Sequence, residues 1–273
     1  MADCAQKILF VNSEIFPYLP ETEMSTVGRQ LPQGIQERKK EIRSFMPRYG
    51  CINERKNQRH EVIRLSGMNI IIGGVDRPLV IKVASISSAR IQVYFIDNDD
   101  YFRRKQVFTD AAGHFFADND ERAIFFARGV METVKKLRWA PDVVHCQGWI
   151  SQLVPAYLKK AYKDDPIFSS SKVVVSLYDD TPAESFPADF ARKAQFGGLG
   201  EEDLPLLAQQ PNGINLAETA ISYADGIILG AEGIAPELTG FARKKGLPIL
   251  PYDAAAVADG SYIDRYNEFY EQI

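Results

Sequence analysis

The sequence predicts a single α/β domain: a mostly parallel β-sheet flanked by helices, with a β-hairpin insertion. Three observations carry that prediction. Short, wholly apolar runs recur, among them Ile8, Leu9, Phe10 and Val11, and later Val173, Val174 and Val175. Such runs read as strands buried on both faces, the condition of parallel strands covered by helices. Longer stretches with apolar residues at helical spacing lie between them, as in Ile124, Phe125, Val130, Val134 and Leu137. From His60 to Ile96 the pattern changes to short β-branched runs separated by Gly73-Gly74 and Ser87-Ser88, which reads as hairpins.

In chain order, the first run should be a central strand. Asn12, Ser13, Pro17 and Pro20 then break the pattern, and an amphipathic helix runs from about Ser25 to Arg38. In open α/β sheets the loop between such a strand and helix overhangs the ligand crevice. Glu41 to Met46 reads as the second strand, closed by Arg48-Tyr49-Gly50, and the hairpin runs cover residues 69–72, 80–86 and 91–96. Asp97-Asn98-Asp99-Asp100 follows where a strand ends. These four residues lack the regular alternation of a calcium loop and read as turn chemistry. Asp118 and Glu121 are spaced as a capping box for a long core helix that ends with Lys135, Lys136 and Arg138. Pro141 to Trp149 leads into a helix through Leu158. His145, at a strand end, reads as a satisfied core histidine rather than a catalyst. Thr181-Pro182 is expected to open a helix with a cap and a first-turn proline. Gly197-Gly198-Leu199-Gly200 lacks the spacing of a phosphate cradle and is expected to be a flexible loop. Gly226 to Leu229 and Leu247 to Leu250 are the last strands, and Asp264 to Gln272 a final amphipathic helix.

The chain has 273 residues, 45% of them hydrophobic and 25% charged, enough for a sizeable core, and the length suits one large α/β domain or two small ones. Its formal net charge of −4 speaks against nucleic acid and anionic membranes as partners. Cys4, Cys51 and Cys146 are odd in number and widely spaced, which suggests reduced thiols in a cytoplasm and neither a disulfide framework nor a zinc site. The first strand begins too early for a signal peptide, and no apolar run approaches the roughly 18 residues of a membrane span.

Ser13-Glu14-Ile15-Phe16-Pro17-Tyr18, Leu31-Pro32 and Met46-Pro47-Arg48-Tyr49-Gly50 resemble the opening of bacterial glycogen synthases and plant starch synthases. These are two-domain GT-B glycosyltransferases of family 5, and the hairpin insertion matches an antiparallel excursion at the same point in that family. Asp118-Asn119-x-x-Arg122 resembles the family's Asp-Asn-x-x-Arg motif, whose aspartate faces the active cleft. Asn215, Tyr223, Ala224 and Asp225 resemble the segment that precedes the next strand.

The resemblance implies a Rossmann-like fold, the N-terminal, acceptor-side half of a GT-B enzyme, spanning 1–273 without the C-terminal nucleotide-binding domain. It also exposes departures. The family's Lys-Thr-Gly-Gly loop is replaced by Pro20, Glu21, Thr22 and Glu23, so a field that attracts phosphate becomes one that repels it. In the family's His-x-His-Asp-Trp-His segment His145 and Trp149 survive, but Gln147, Gly148 and Ile150 replace the cleft histidine, the aspartate and the last histidine. Asp179-Asp180 stands for His-Asn, Glu218 for a lysine and Ala231-Glu232 for Ser-Pro.

Family members transfer glucose from ADP-glucose to an α-1,4-glucan. The substitutions imply a chain inactive by itself and retained for binding glucan, an oligosaccharide or a protein, including a second copy of itself. Two alternatives stay open: half of a split transferase completed by another chain, or a regulatory scaffold unrelated to carbohydrate. Expected to line the old cleft are Glu14, Asp118, Gln147, Trp149, Asp179 and Asn215, with Trp149 offering a stacking face to sugar. No nucleophile, general base, cofactor or metal is assigned.

Overall fold

The computed structural model describes residues 5–53 and 60–273 of the chain. Cys4 therefore lies outside the described residues. Cys51 is at the surface and Cys146 in the core, so no disulfide joins them.

Among the described residues ten strands form the sheet, in the order β10-β9-β8-β7-β1-β2-β6-β5-β3, with β4 paired to β5. The first strand, β1 (Lys7–Asn12), is central, and runs parallel to β2 (Glu41–Pro47) on one side and β7 (Val143–Gln147) on the other. Beyond β7 come β8 (Lys172–Leu177), β9 (Gly226–Leu229) and β10 (Ile249–Leu250), all parallel. On the other flank β6 (Ile91–Asp97) is parallel to β2 but antiparallel to β5 (Val75–Ile86). The insertion thus feeds its last strand into the main sheet, while β3 (His60–Glu61) and β4 (Met68–Ile72) decorate its edge.

Both faces of the central strands are buried, as their unbroken apolar runs demand. Leu9 and Val11 point to one core with α3 (Asn119–Leu137), the helix after the short α2 (Asp99–Phe102), whereas Ile8 and Phe10 point to a second. That second core lies under α1 (Glu23–Glu37) and the terminal helix 262–272, which contributes Tyr262, Tyr266, Phe269 and Tyr270. His145 faces the latter core, where its Nε2 is 2.7 Å from Ser176 Oγ and its Nδ1 2.7 Å from the Tyr270 hydroxyl. Burial pushes its pKa down to about 3, so it is a neutral core histidine with both nitrogens satisfied.

Several local expectations change. Helix α1 starts at Glu23 because Thr22 and Ser25 cap each other: Ser25 N donates to Thr22 Oγ1 and Thr22 N to Ser25 Oγ. Asp118 makes no capping bond to α3; its carboxylate receives Arg104 Nη1 and Nη2 at 2.6 and 2.5 Å instead. No helix opens at Thr181-Pro182. The backbone there runs as a loop whose Phe186 N–H donates to Pro211 O, and the next helix begins at Phe190. Gly197 and Gly198, at φ 55° and 97°, form a tight turn closed by a Phe196–Leu199 bridge rather than a loose loop. The last strand and last helix also shift, to Ile249–Leu250 and Tyr262–Gln272.

No helix among the described residues is long and apolar enough to cross a membrane.

Candidate functional site

Because β1, β2, β6, β7 and β8 are parallel, the loops that leave their C-terminal ends gather over one edge of the sheet. Four of the six expected residues emerge from strand ends there. Glu14 follows β1, Gln147 ends β7, Trp149 follows it and Asp179 follows β8. Asp118 joins them from the N-terminus of α3, reached by the long loop after β6.

Acidic groups dominate the middle of this edge. Glu14 Oε2 accepts a 2.8 Å hydrogen bond from Thr22 Oγ1, which ties the β1 loop to the start of α1. Asp180, which sequence reasoning passed over in favour of Asp179, has its Oδ2 2.7 Å from the Trp149 amide. Burial pushes the Asp180 carboxyl up to about 6, and the charges of Glu14 and Asp179 add to the rise against the Trp149 N–H. Glu21 and Glu23 are exposed beside them, with Glu23 Oε1 accepting from the Tyr252 hydroxyl at 2.6 Å.

Gln147 is fully buried, and neither its Nε2 nor its Oε1 has a hydrogen-bond partner. Its register neighbour on β1, Asn12, is in the same condition. Gly148 adopts φ 84°, and a Cβ there would come within 2.4 Å of Ser13 Cβ, so the β7 turn presses directly on the β1 loop.

Trp149 corrects the expectation placed on it. Only 3% exposed, it offers no face to solvent. Its ring centroid lies 4.7 Å from Phe108, 5.6 Å from Phe186 and 5.9 Å from Phe115, at the hub of an aromatic wall. The wall's outer members, Phe115 and Phe116, are half-buried and line an open pocket of about 470 Å³, with Glu184, Ser185, Phe186 and Pro187 opposite. The loop that carries the two phenylalanines is held by the Thr109–Phe115 bridge and by Asp110, whose carboxylate accepts from the Ala112 and His114 amides. Arg104, clamped on Asp118, sits 4.5 Å above the Phe116 ring. An adjacent Phe-Phe pair in an otherwise polar loop was the one signal in the sequence for this pocket.

Arg122 of the Asp-Asn-x-x-Arg segment is buried. Its Nη1 donates to Asn119 Oδ1 at 2.6 Å, and its guanidinium lies 5.2–5.7 Å from the Phe102, Phe116 and Phe108 rings. Desolvation draws its pKa down to about 10. Asn215 is not brought into the cleft by any contact: its Nδ2 donates to Leu206 O and Gln210 O, fixing the connection into helix Gly213–Tyr223. Glu218 lies further along that helix, in the field of Glu237 and Lys244. Among the described residues no group of three or more His, Cys, Asp or Glu is placed to hold a metal ion.

A family model described as the starch synthase catalytic domain matches residues 7–248. Glycogen synthase of Chlorobium luteolum is 34% identical over 220 residues, covering 80% of this chain and 44% of that one. The glycogen synthase of Chlorobaculum tepidum is 34% identical over 233 residues, covering 85% of this chain and 47% of its own. The chain thus spans somewhat under half the length of these curated relatives. Among solved structures, the catalytic domain of starch synthase IV from Arabidopsis thaliana, bound to ADP and acarbose, superposes with a TM-score of 0.69 at 16% identity, over 91% of this chain and 51% of that one. That likeness establishes the fold.

Proposed function

The chain belongs to the starch synthase catalytic domain family, and from that premise we propose that it binds α-glucan but has lost the contact with the sugar nucleotide, so that it transfers no glucose by itself. The observation that carries this reading is the start of α1. A helix N-terminus attracts phosphate through unsatisfied N–H groups and the positive end of its dipole. Here the Ser25 N–H is already taken by Thr22 Oγ1, and Glu14, Glu21 and Glu23 surround the helix start. A diphosphate brought to this point meets carboxylates where the family's loop offers a lysine and two glycines. Gln147 supports the same reading. Fully buried, it is out of reach of a sugar hydroxyl, and where the family has a histidine it neither carries charge nor titrates near neutral pH.

Transfer requires donors and cations that stabilise the departing diphosphate, and loss of one preorganised donor costs about 10²–10³ in rate. The test is calorimetric titration of the whole chain with ADP-glucose and with maltoheptaose, alongside incorporation of labelled glucose into glycogen. Oligosaccharide binding without nucleotide binding or incorporation is expected. Firm binding of ADP-glucose, or elongation at an ordinary enzymatic rate, overturns the proposal. Elongation only after a second chain is added replaces it with shared chemistry.

A further inference from the structure

Resting on that reading, we propose that the oligosaccharide is held away from the acidic centre, in the 470 Å³ pocket between the Phe115-Phe116 loop and the 184–187 loop. The pocket falls within the range of about 300–1,000 Å³ typical of small-ligand sites. Its walls are chemically suited to an uncharged sugar. The half-buried Phe115 and Phe116 supply apolar ring surface for the C–H face of a glucosyl unit, with Arg104 lying 4.5 Å over the Phe116 ring, and Phe186 and Pro187 close the other side. At the rim, the Glu184 carboxylate and Ser185 hydroxyl are exposed and free to engage sugar hydroxyls as acceptor and donor.

The charge of the lining selects against the alternative ligand of this fold. No lysine or arginine lines the pocket, and Glu184 is its formal charge. A nucleoside could stack on the same rings, but its diphosphate would then lie beside a carboxylate, and the nearest cation, Arg104 over the Phe116 ring, is already held by Asp118. A neutral glucan carries no such penalty.

The wall is also built before any ligand arrives. Phe116 N–H donates to Phe108 O at 3.0 Å and Asn119 Nδ2 to the same oxygen at 2.8 Å, so the loop is fixed on the helix start behind it. Trp149 stands directly behind, 5.9 Å from Phe115 and 5.6 Å from Phe186. Little ordering remains to be done on binding, which favours affinity.

The buried Trp149 supplies the readout. Maltoheptaose is titrated into the whole chain while binding is followed by calorimetry and by indole emission. Phe115→Leu, which keeps bulk but removes the ring face, and Glu184→Gln are compared with the unaltered chain and with Glu237→Gln on the remote helix Pro236–Lys244. Thermal melts confirm that each variant is folded. The expected result is saturable binding with an emission change in the unaltered chain, at least tenfold weaker binding in Phe115→Leu, several-fold weaker binding in Glu184→Gln, and no change in Glu237→Gln. Equal affinity in all four chains overturns the pocket assignment and leaves the glucan-binding reading standing. No binding by the unaltered chain at millimolar maltoheptaose overturns both.

Discussion

Replacing Asp180 by Asn tests the electrostatics of the cleft most directly. The carboxyl sits half-buried at the C-terminal edge of the sheet, accepts the Trp149 N–H, and is flanked by Glu14 and Asp179. Its pKa rises from 3.8 to about 6. At about 1.4 kcal/mol per pH unit, that rise corresponds to roughly 3 kcal/mol of preference for the neutral form in the folded state. Water still reaches part of the side chain, so about 1–2 kcal/mol is expected. The sign follows from proton counting. Between pH 3.8 and about 6 the folded state holds a proton that the unfolded state has released, so stability falls as pH rises through this window and levels off above it. Asp180→Asn keeps an oxygen for the Trp149 amide and removes the charge. Urea denaturation should find the variant more stable than the parent by about 1–2 kcal/mol near neutral pH, with the difference shrinking steadily toward pH 4. A variant that is less stable at neutral pH, or a difference independent of pH, refutes the account of this site.

Two further substitutions probe the buried polar framework. Lys193→Met removes the cation paired with Asp120, whose carboxylate is fully buried at the start of α3 and pushed up by that burial. A loss of about 3–5 kcal/mol is expected on chemical denaturation, partly recovered by Lys193→Arg, and an unchanged midpoint would show that the pair contributes nothing. Tyr270→Phe takes the hydroxyl from His145 Nδ1 in the second core, which should cost about 1–3 kcal/mol, measured the same way. Since the His145 pKa lies far below its ordinary 6.5, the unfolded chain takes up a proton there that the folded one refuses; acid should therefore destabilise the parent as pH falls below that value.

The strands were legible because their signal is local. A run such as Val173-Val174-Val175 must be covered on both faces wherever it lies, and β8 is covered on both. The hairpin β4–β5 follows in the same way from its Gly73-Gly74 turn. Local signals misled where a distant group claimed the side chain or the backbone. Arg104 took the Asp118 carboxylate that spacing had assigned to a cap. Pro211 took the Phe186 N–H in a segment where Thr181-Pro182 promised a helix.

Sequence alone determined which strands form the central sheet, that His145 is a core residue, and that acidic side chains stand where the family's phosphate-gripping loop would be. The first two conclusions need only residue type and spacing, and the third rests on the resemblance to the family. The tertiary structure decided that Trp149 is walled in, that Phe115 and Phe116 line the open pocket in its stead, that Asn215 is spent on the connection into its own helix, and that the Asp180 carboxyl is perturbed by burial. The physical reason is that burial and field depend on which loops meet over the ends of β6, β7 and β8, and that meeting joins residues far apart in the chain.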